Sequence, residues 1–273
     1  MTNKFCLFSA IVLLITVTVS CNQDIKDGSN LPVTMDDSSR AIIDRAIAYA
    51  GGYEPWQQKK TLSFDKKSIS YDSAGNIVRK IDQHFDYMMK PEYRAKITYI
   101  QNDTAITLIH DGQQARKLYN GKVSTEQKDI DAAWNSGYGS HFVFNMPFKL
   151  KDPGMKAEYI GEMTLNNGTQ AQVVKTSYIK GAGSNPDHIW YYYFEPASGK
   201  LLANSLTWGT GKWDYTRYET FENASGLQMP GVRKGYTADT LNKPGRQVSE
   251  SRHFNIVFDK EFPEDHFKIK NAK

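Results

Sequence analysis

Residues 60–71 read KTLSFDKKSISY, residues 72–76 read DSAGN, and residues 77–89 read IVRKIDQHFDYMM. Two extended runs rich in β-branched and aromatic residues flank a polar segment with a glycine, the signature of a β-hairpin. The same grammar recurs down the chain. Extended runs meet at Asp111-Gly112, Asn120-Gly121, Asn166-Asn167-Gly168, Ala197-Ser198-Gly199 and Ala224-Ser225-Gly226. Between them, Tyr93-Ala95-Ile97-Tyr99, Ile106-Leu108, Val173-Thr176-Tyr178, Trp190-Tyr192-Phe194, Trp213-Tyr215 and Phe254-Ile256-Phe258 follow an approximate alternation. Alternation buries one face of a strand and wets the other. About ten such strands joined by short turns predict a mostly antiparallel α+β fold, because no strand-helix-strand rhythm asks for a parallel sheet.

Helical periodicity is confined to two places. After Asp36-Asp37-Ser38, the apolar residues Ile42, Ile43, Ala46, Ile47 and Ala50 line one face of a helix over 37–50, which Gly51-Gly52 ends. The acidic residues and serine at its start suit the exposed amides of a helix N-terminus. A second, shorter helix is predicted over 126–136, where Glu126, Ile130, Ala133 and Trp134 precede Gly137.

Of the 273 residues, the first twenty carry one charge, Lys4, and then an uncharged run from Phe5 to Val19 stops at Ser20-Cys21. That run is sized like the apolar region of a secretory signal and is short for a membrane span. Thr18-Val19-Ser20-Cys21 resembles the bacterial lipobox, so Cys21 is expected to carry a lipid anchor after cleavage. An ordinary signal cleaved near Ser20 and an uncleaved anchor are the alternatives; the small residues before Cys21 favour lipidation. Residues 21–35 then read as a polar, flexible tether, and 36–273 as one domain. Gln23-Asp24 also resembles the acidic surface-export signals of Bacteroidetes lipoproteins. Cys6 lies in the leader, so the mature chain holds one cysteine and no internal disulfide. The whole-chain net charge of +4 gives no nucleic-acid signature, and 16 Tyr with 13 Phe exclude a disordered chain. The expected state is a monomer held at the outer membrane by its lipid.

The helix closed by Gly51-Gly52, the nearby Trp56 and the long meander resemble the LolA/LolB-like bacterial lipoprotein-carrier superfamily. QHFDY at 83–87, KPEYR at 90–94, FNMPFKL at 144–150 and FEPASGK at 194–200 further resemble a family of Bacteroidetes lipoproteins with that predicted fold. The resemblance implies an incomplete, half β-barrel around an apolar cavity, plugged by helices, that shields a lipid or the acyl chains of a lipoprotein without catalysis. It implies no cofactor.

Aromatic density peaks between Trp190 and Phe221. Both parities of 190–194 are aromatic, so that strand is expected to be covered on both faces. Core packing and the lining of a cavity are the two readings of these rings. On the cavity reading, Phe64, Phe85, Tyr87, Tyr99, Trp190, Tyr192, Trp213 and Tyr215 share the concave face, with Arg217 in the same parity as a candidate for an acidic head group. Exposed aromatics stacking on sugars offer the alternative function, a surface glycan-binding or adhesive module. Phe142 to Phe148, beside a Gly-rich bend at 137–141, is either a packing segment or a lid.

Catalytic and metal chemistry find little support. No two of His84, His110, His141, His188, His253 and His266 have ligand spacing. Asp187-His188 and Asp265-His266 are expected to be exposed polar pairs, since strand neighbours face opposite ways. Gly139-Ser140-His141 lacks a nucleophile elbow. Asp72-Ser73-Ala74, Asp103-Thr104-Ala105 and Asp239-Thr240-Leu241 resemble O-glycosylation sites of exported Bacteroidetes proteins, though each also reads as ordinary turn chemistry.

Overall fold

The computed structural model describes residues 31–179, 182, 188–207, 211 and 213–270. The expected signal peptide, Cys21 and most of the expected tether lie outside the described residues, as does Asp187. Strand β1 (Thr34–Met35) leads into helix α1 (Asp37–Tyr49) and the short helix α2 (Tyr53–Gln57). A first meander follows, with β2 (Thr61–Tyr71), β3 (Ile77–Met88), β4 (Arg94–Gln101), β5 (Thr104–His110), β6 (Ala115–Tyr119) and β7 (Lys122–Val123). Helix α3 (Gln127–Phe144) separates it from a second meander: β8 (Met155–Thr164), β9 (Gln170–Tyr178), β10 (Ile189–Phe194), β11 (Leu201–Thr207) and β12 (Trp213–Tyr218). A ribbon of β13 (Phe221–Ala224) and β14 (Leu227–Pro230) precedes β15 (Val232–Ala238) and the long β16 (Pro244–Phe258).

Strand β16 pairs with both β15 and β2 and thereby fuses the two meanders into one sheet of fourteen strands. Its order runs β1, β8 to β12, β15, β16, then β2 to β7, and only the β1–β8 pairing is parallel. With β1 and β7 at its two edges the sheet stays open and does not close into a barrel.

The predicted hairpin at 60–89 forms in register, Phe64 opposite Phe85 and Leu62 opposite Tyr87. Asp72 closes its turn by accepting from the amides of Ala74 and Asn76. Helix α1 starts where expected: the Asp36 carboxylate accepts from the Ser39 amide at 2.8 Å, capping an end whose amides have no partner within the helix. Ile42, Ile43, Ala46 and Ile47 are buried against the sheet. Gly51 ends the helix with φ +106°, and a Cβ there would lie 2.4 Å from the Gly226 carbonyl oxygen.

Two expectations need correction. The strand count is fourteen in the sheet plus two in the ribbon, where the sequence suggested about ten. Four of the sixteen, β1, β7, β13 and β14, have only two to four residues, too few to show alternation. The second helix runs to Phe144 and does not stop at Gly137. Gly137 faces Ala95 of β4, and a Cβ there would meet Ala95 at 3.6 Å and the Tyr93 hydroxyl at 3.7 Å, ordinary contact distances, so the glycine neither ends nor bends α3. The expected Gly-rich bend is therefore helix.

One continuous core occupies the inner face of the sheet, the face that carries α1 and α3. Phe144 stacks on Phe64 with centroids 3.9 Å apart, and Phe64 on Phe85 at 4.7 Å. Trp56 stacks on Phe148 at 5.3 Å and donates to the Asn145 side chain at 3.0 Å, which ties α2 to the end of α3. A smaller cluster of Ala171, Val173, Tyr193, Ala203 and Tyr215 lies on the outer face. The turn between β15 and β16 reaches it, Asn242 accepting from Ser205 at 2.7 Å. Both faces of β10 are thus covered.

The outer face of β2 and β3 carries a second covering. Asp86, 3% exposed, accepts from the Ser63 hydroxyl at 2.7 Å and contacts His84 at 3.1 Å and His266 at 2.8 Å. His266 is accordingly a fastener for the C-terminal segment, a correction to its reading as part of an exposed pair. Phe267, 2% exposed, is buried beside it.

Candidate functional site

Along β2 the inner-face residues are Leu62, Phe64, Lys66, Ser68 and Ser70, changing from apolar to polar halfway. The register carries that change across the sheet. Lys66 faces Gln83 and His253, Ser68 faces Ile81 and Ser251, and Ser70 faces Arg79 and Ser249. Next come Gly235 opposite Ser249, Thr216 opposite Gly235 and Asn204 opposite Thr216. Small side chains on adjacent strands leave room above them. Gly235 keeps that floor low, because a Cβ there would lie 2.3 Å from the Ser249 hydroxyl.

The result is a cavity of about 420 Å³ beside the aromatic core. Trp190, Leu206, Ile81 and, from α3, Val143 form its apolar side; Lys66, Arg79, Arg233 and Asp214 bring charge. Its size falls within the range of small-molecule sites, which combine apolar walls with a few directed polar groups.

The cationic side is held in place. Arg233 donates to the Val143 carbonyl at 3.4 Å and to His253 Nε2 at 3.2 Å, and its guanidinium lies 6.0 Å from the Tyr218 ring centroid. His253 Nδ1 donates in turn to the Gly231 carbonyl at 3.0 Å, which fixes a neutral tautomer. Burial, then Arg233 and Lys66, keep His253 well below its ordinary value, so it adds no charge. The Lys66 ammonium lies 5.8 Å from the Phe85 ring centroid, and among the described residues it has no ion pair. Burial first, and then the charges of Arg233 and Arg79, lower its pKa to about 8. Ser68 Oγ and Arg233 Nε are enclosed with no hydrogen-bond partner among the described residues.

The nine predicted ligand residues divide between the two faces. Phe64, Phe85, Tyr87 and Tyr192 are at most 1% exposed and pack with one another and with α3 in the main core, with Tyr99 and Trp190 against them. Of these six only Trp190 also lines the cavity. Trp213, Tyr215 and Arg217 are on the outer face, since Tyr215 pairs opposite Ser205 and Tyr191, Arg217 opposite Ala203 and Tyr193. The expectation that they share the face of Trp190 and Tyr192 is corrected: the cross-strand partner of Trp190 is Leu206, and that of Leu206 is Asp214, not Trp213 or Tyr215. Arg217 pairs with Glu219 at 3.3 Å. Tyr215 and Arg217 help line a second, outer cavity of about 280 Å³ with Asn166, Asn167 and Tyr236.

Lys66, Arg233 and the serine-glycine floor were missed by a search for aromatics. The available signal was the change of inner-face character between Phe64 and Lys66. The segment 142–148 is a packing segment: Phe144 and Phe148 are 1% and 0% exposed, and Phe142 meets Trp190 at 5.8 Å. Among the described residues no group of acidic, histidine or cysteine side chains is arranged to hold a metal, and no helix is long and apolar enough to cross a membrane.

Comparison with known proteins supplies a family and a fold. The chain belongs to DUF6503, described as a family of unknown function, which matches residues 10–223. No curated protein matches it. A DUF1329 family protein from Desulfovibrio piger is similar in structure, with TM-score 0.54 and 10% identity over 85% of this chain and 98% of that one. A LolA superfamily protein from Nitrosomonas europaea gives 0.51 at 8% identity, covering 84% of this chain and 97% of that one.

Proposed function

We propose that this DUF6503 protein is a lipid-anchored, monomeric component of the bacterial envelope that binds an amphiphile on the inner face of its open sheet, without chemical turnover. The observation that carries the reading is the cavity of about 420 Å³ left between the helix-covered core and the polar end of the same face. An amphiphile would set its apolar part against Trp190, Leu206, Ile81 and Val143, gaining from desolvation, and its polar part over the serine-glycine floor. Phe64, Phe85, Tyr87, Tyr99 and Tyr192 would act behind this wall by keeping α3 and the sheet apart at a fixed spacing. The open antiparallel fold, of a kind also found in a LolA superfamily protein, supports a lipid or lipoprotein ligand. A lipid on Cys21, with the residues before β1 as tether, would hold the domain at the outer membrane; the expected tether of 21–35 is shortened because Thr34–Met35 pair with β8, and two or three acyl chains suffice for stable anchoring.

Native mass spectrometry of protein extracted from membranes tests both parts. The expected result is an acylated mature N-terminus at Cys21 and a co-purifying amphiphile that Trp190→Ala releases. An unacylated N-terminus removes the anchor, and a protein that retains no amphiphile and takes up none from a lipid mixture removes the binding function.

The outer cavity supports a second reading, the glycan-binding module. Tyr215, Tyr236, Arg217 and two asparagines combine ring faces with hydrogen-bonding groups. Binding on a glycan array that Tyr236→Ala abolishes would favour it.

A further inference from the structure

We propose that the inner cavity is an anion site, and that the amphiphile enters with a phosphate or carboxylate group held by Lys66 and Arg233, with Arg79 at the mouth. This deepens the function proposed above and rests on it for the amphiphile, though not for the anion. Three observations converge on it. Lys66 and Arg233 project from β2 and β15 to the same face, separated in the sheet only by β16. Neither is neutralised: among the described residues neither forms an ion pair, and the hydrogen bonds of Arg233 go to a carbonyl and a neutral imidazole. Asp214 and Glu250 share the lining, yet among the described residues neither ion-pairs with Lys66 or Arg233; like charges gathered without a direct partner are costly, and the cost falls when an anion joins them. Two of the lining residues also hold enclosed polar atoms, Ser68 Oγ and Arg233 Nε, with unused hydrogen-bonding capacity. An oxyanion with several acceptor oxygens matches that set of donors.

The charged groups around Lys66 set the pH dependence. They are Arg79 on β3, Arg233 on β15, Glu250 on β16 and Asp214 on β12; His253 on β16 is titratable but neutral, and Gln83 and Val143 complete the surroundings without charge. With its pKa lowered to about 8 by burial and by the two arginines, Lys66 is protonated at pH 7 and neutral at pH 10. Anion affinity must therefore fall as pH rises through that interval, about two units earlier than for an ordinary lysine.

The test uses the full chain in a nonionic detergent and isothermal titration calorimetry with three probes: inorganic phosphate, dihexanoyl phosphatidic acid and dihexanoyl phosphatidylcholine. Phosphatidic acid is expected to bind at least tenfold more tightly than phosphatidylcholine. Lys66→Met and Arg233→Met should each weaken phosphatidic acid about tenfold or more, the worth of one hydrogen bond to a charged group, and weaken phosphatidylcholine, whose single phosphate charge is offset by its own choline, by less. Lys234→Met, on the outer face, should change neither. Thermal unfolding checks that each variant folds, and Lys66→Gln repeats the test if the methionine variant does not. Phosphate binding as tightly as phosphatidic acid would uphold the anion site and identify a free anion as its ligand. Equal affinity for the two lipids, insensitive to Lys66→Met, would overturn the anion site while leaving the amphiphile reading intact. Failure of all three probes would overturn both.

Discussion

Truncating Phe144 to alanine tests whether the end of α3 is a fixed part of the core or a separable lid. Its ring is 1% exposed, stacks on Phe64 at 3.9 Å with 16° between planes, and meets His253 at 5.1 Å. A buried Phe side chain covers about 150–250 Å². At about 25 cal/mol per Å² that is about 4–6 kcal/mol of transfer free energy, an upper figure because unfolded chains already hide some apolar surface. Measured Phe-to-Ala losses of about 3–5 kcal/mol agree. We expect Phe144→Ala to cost about 4 kcal/mol, a large part of the 5–15 kcal/mol typical of a whole domain. The midpoint of thermal unfolding should then fall by about 8–16 °C for a domain of this size. Urea unfolding followed by tryptophan fluorescence measures the loss, with an unchanged slope as the sign that two-state behaviour survives. Phe144→Leu, which keeps most of the volume, should lose less than about 1.5 kcal/mol. A loss below about 1.5 kcal/mol for the alanine variant, with fast amide exchange across 137–148, would refute the reasoning, because a segment outside the cooperative core contributes little to global stability.

Three more perturbations read other parts of the fold. Asp86→Ala strands Ser63 and His266 and should cost about 2–4 kcal/mol while exposing 259–270 to proteolysis; an unchanged cleavage pattern would remove the fastening role. Burial opposes ionisation of Asp86, but Ser63, His84, His266 and Lys260 together outweigh it and hold the carboxyl below its ordinary 3.8, so its contribution is complete above that pH and lost as pH falls further. His141 and His253 are held well below 6.5, chiefly by burial, so unfolding takes up protons below that pH. Stability should drop on going from pH 7 to pH 5, by at most about 1.4 kcal/mol per pH unit for each histidine, and a flat urea midpoint over that range would contradict the burial. Gly199→Ala places a Cβ 2.8 Å from the Ala46 nitrogen at φ +79° and should cost about 2 kcal/mol or more by calorimetry; a loss under about 0.5 kcal/mol would mean that α1 and the hairpin before β11 do not meet so closely.

What was legible in the sequence depended on whether the signal was local. The start of α1 is written in Asp36 and the four isoleucine and alanine positions that follow, and the β2–β3 hairpin in a turn whose Asp72 bonds its own backbone. Parity across strands is not local. From Trp190 to Trp213 the chain passes through a turn, the register shift between Tyr193 and Phe194, and the step from β11 to β12, and any single offset reverses every later assignment. The inward strip of β12 is therefore Asp214, Thr216 and Tyr218, and Trp213 and Tyr215, expected inside, cover the outside.

The same parity argument explains why the cavity is polar. Strands β2, β3 and β16 have eleven, twelve and fifteen residues, and α3 with its aromatic contacts covers only the end of them that carries Phe64, Phe85 and Tyr87. Beyond Lys66 the helical cover among the described residues of the lining thins to Val143 of α3, and serines, a glycine and long cations occupy positions that would otherwise carry core residues. A solvated strip of that kind could use any polar residue. Cations that form no ion pair among the described residues are the costlier choice, even with Asp214 and Glu250 in the same lining: Lys66 bears a lowered pKa and Arg233 gives its hydrogen bonds to uncharged acceptors. An occupant that lowers this cost must bring negative charge to the polar end, and if it also covers Trp190 and Leu206 it must bring apolar surface to the other. On the function proposed above, the occupant would be a molecule with two unlike ends, oriented with its anion toward β2 and its apolar part toward β10.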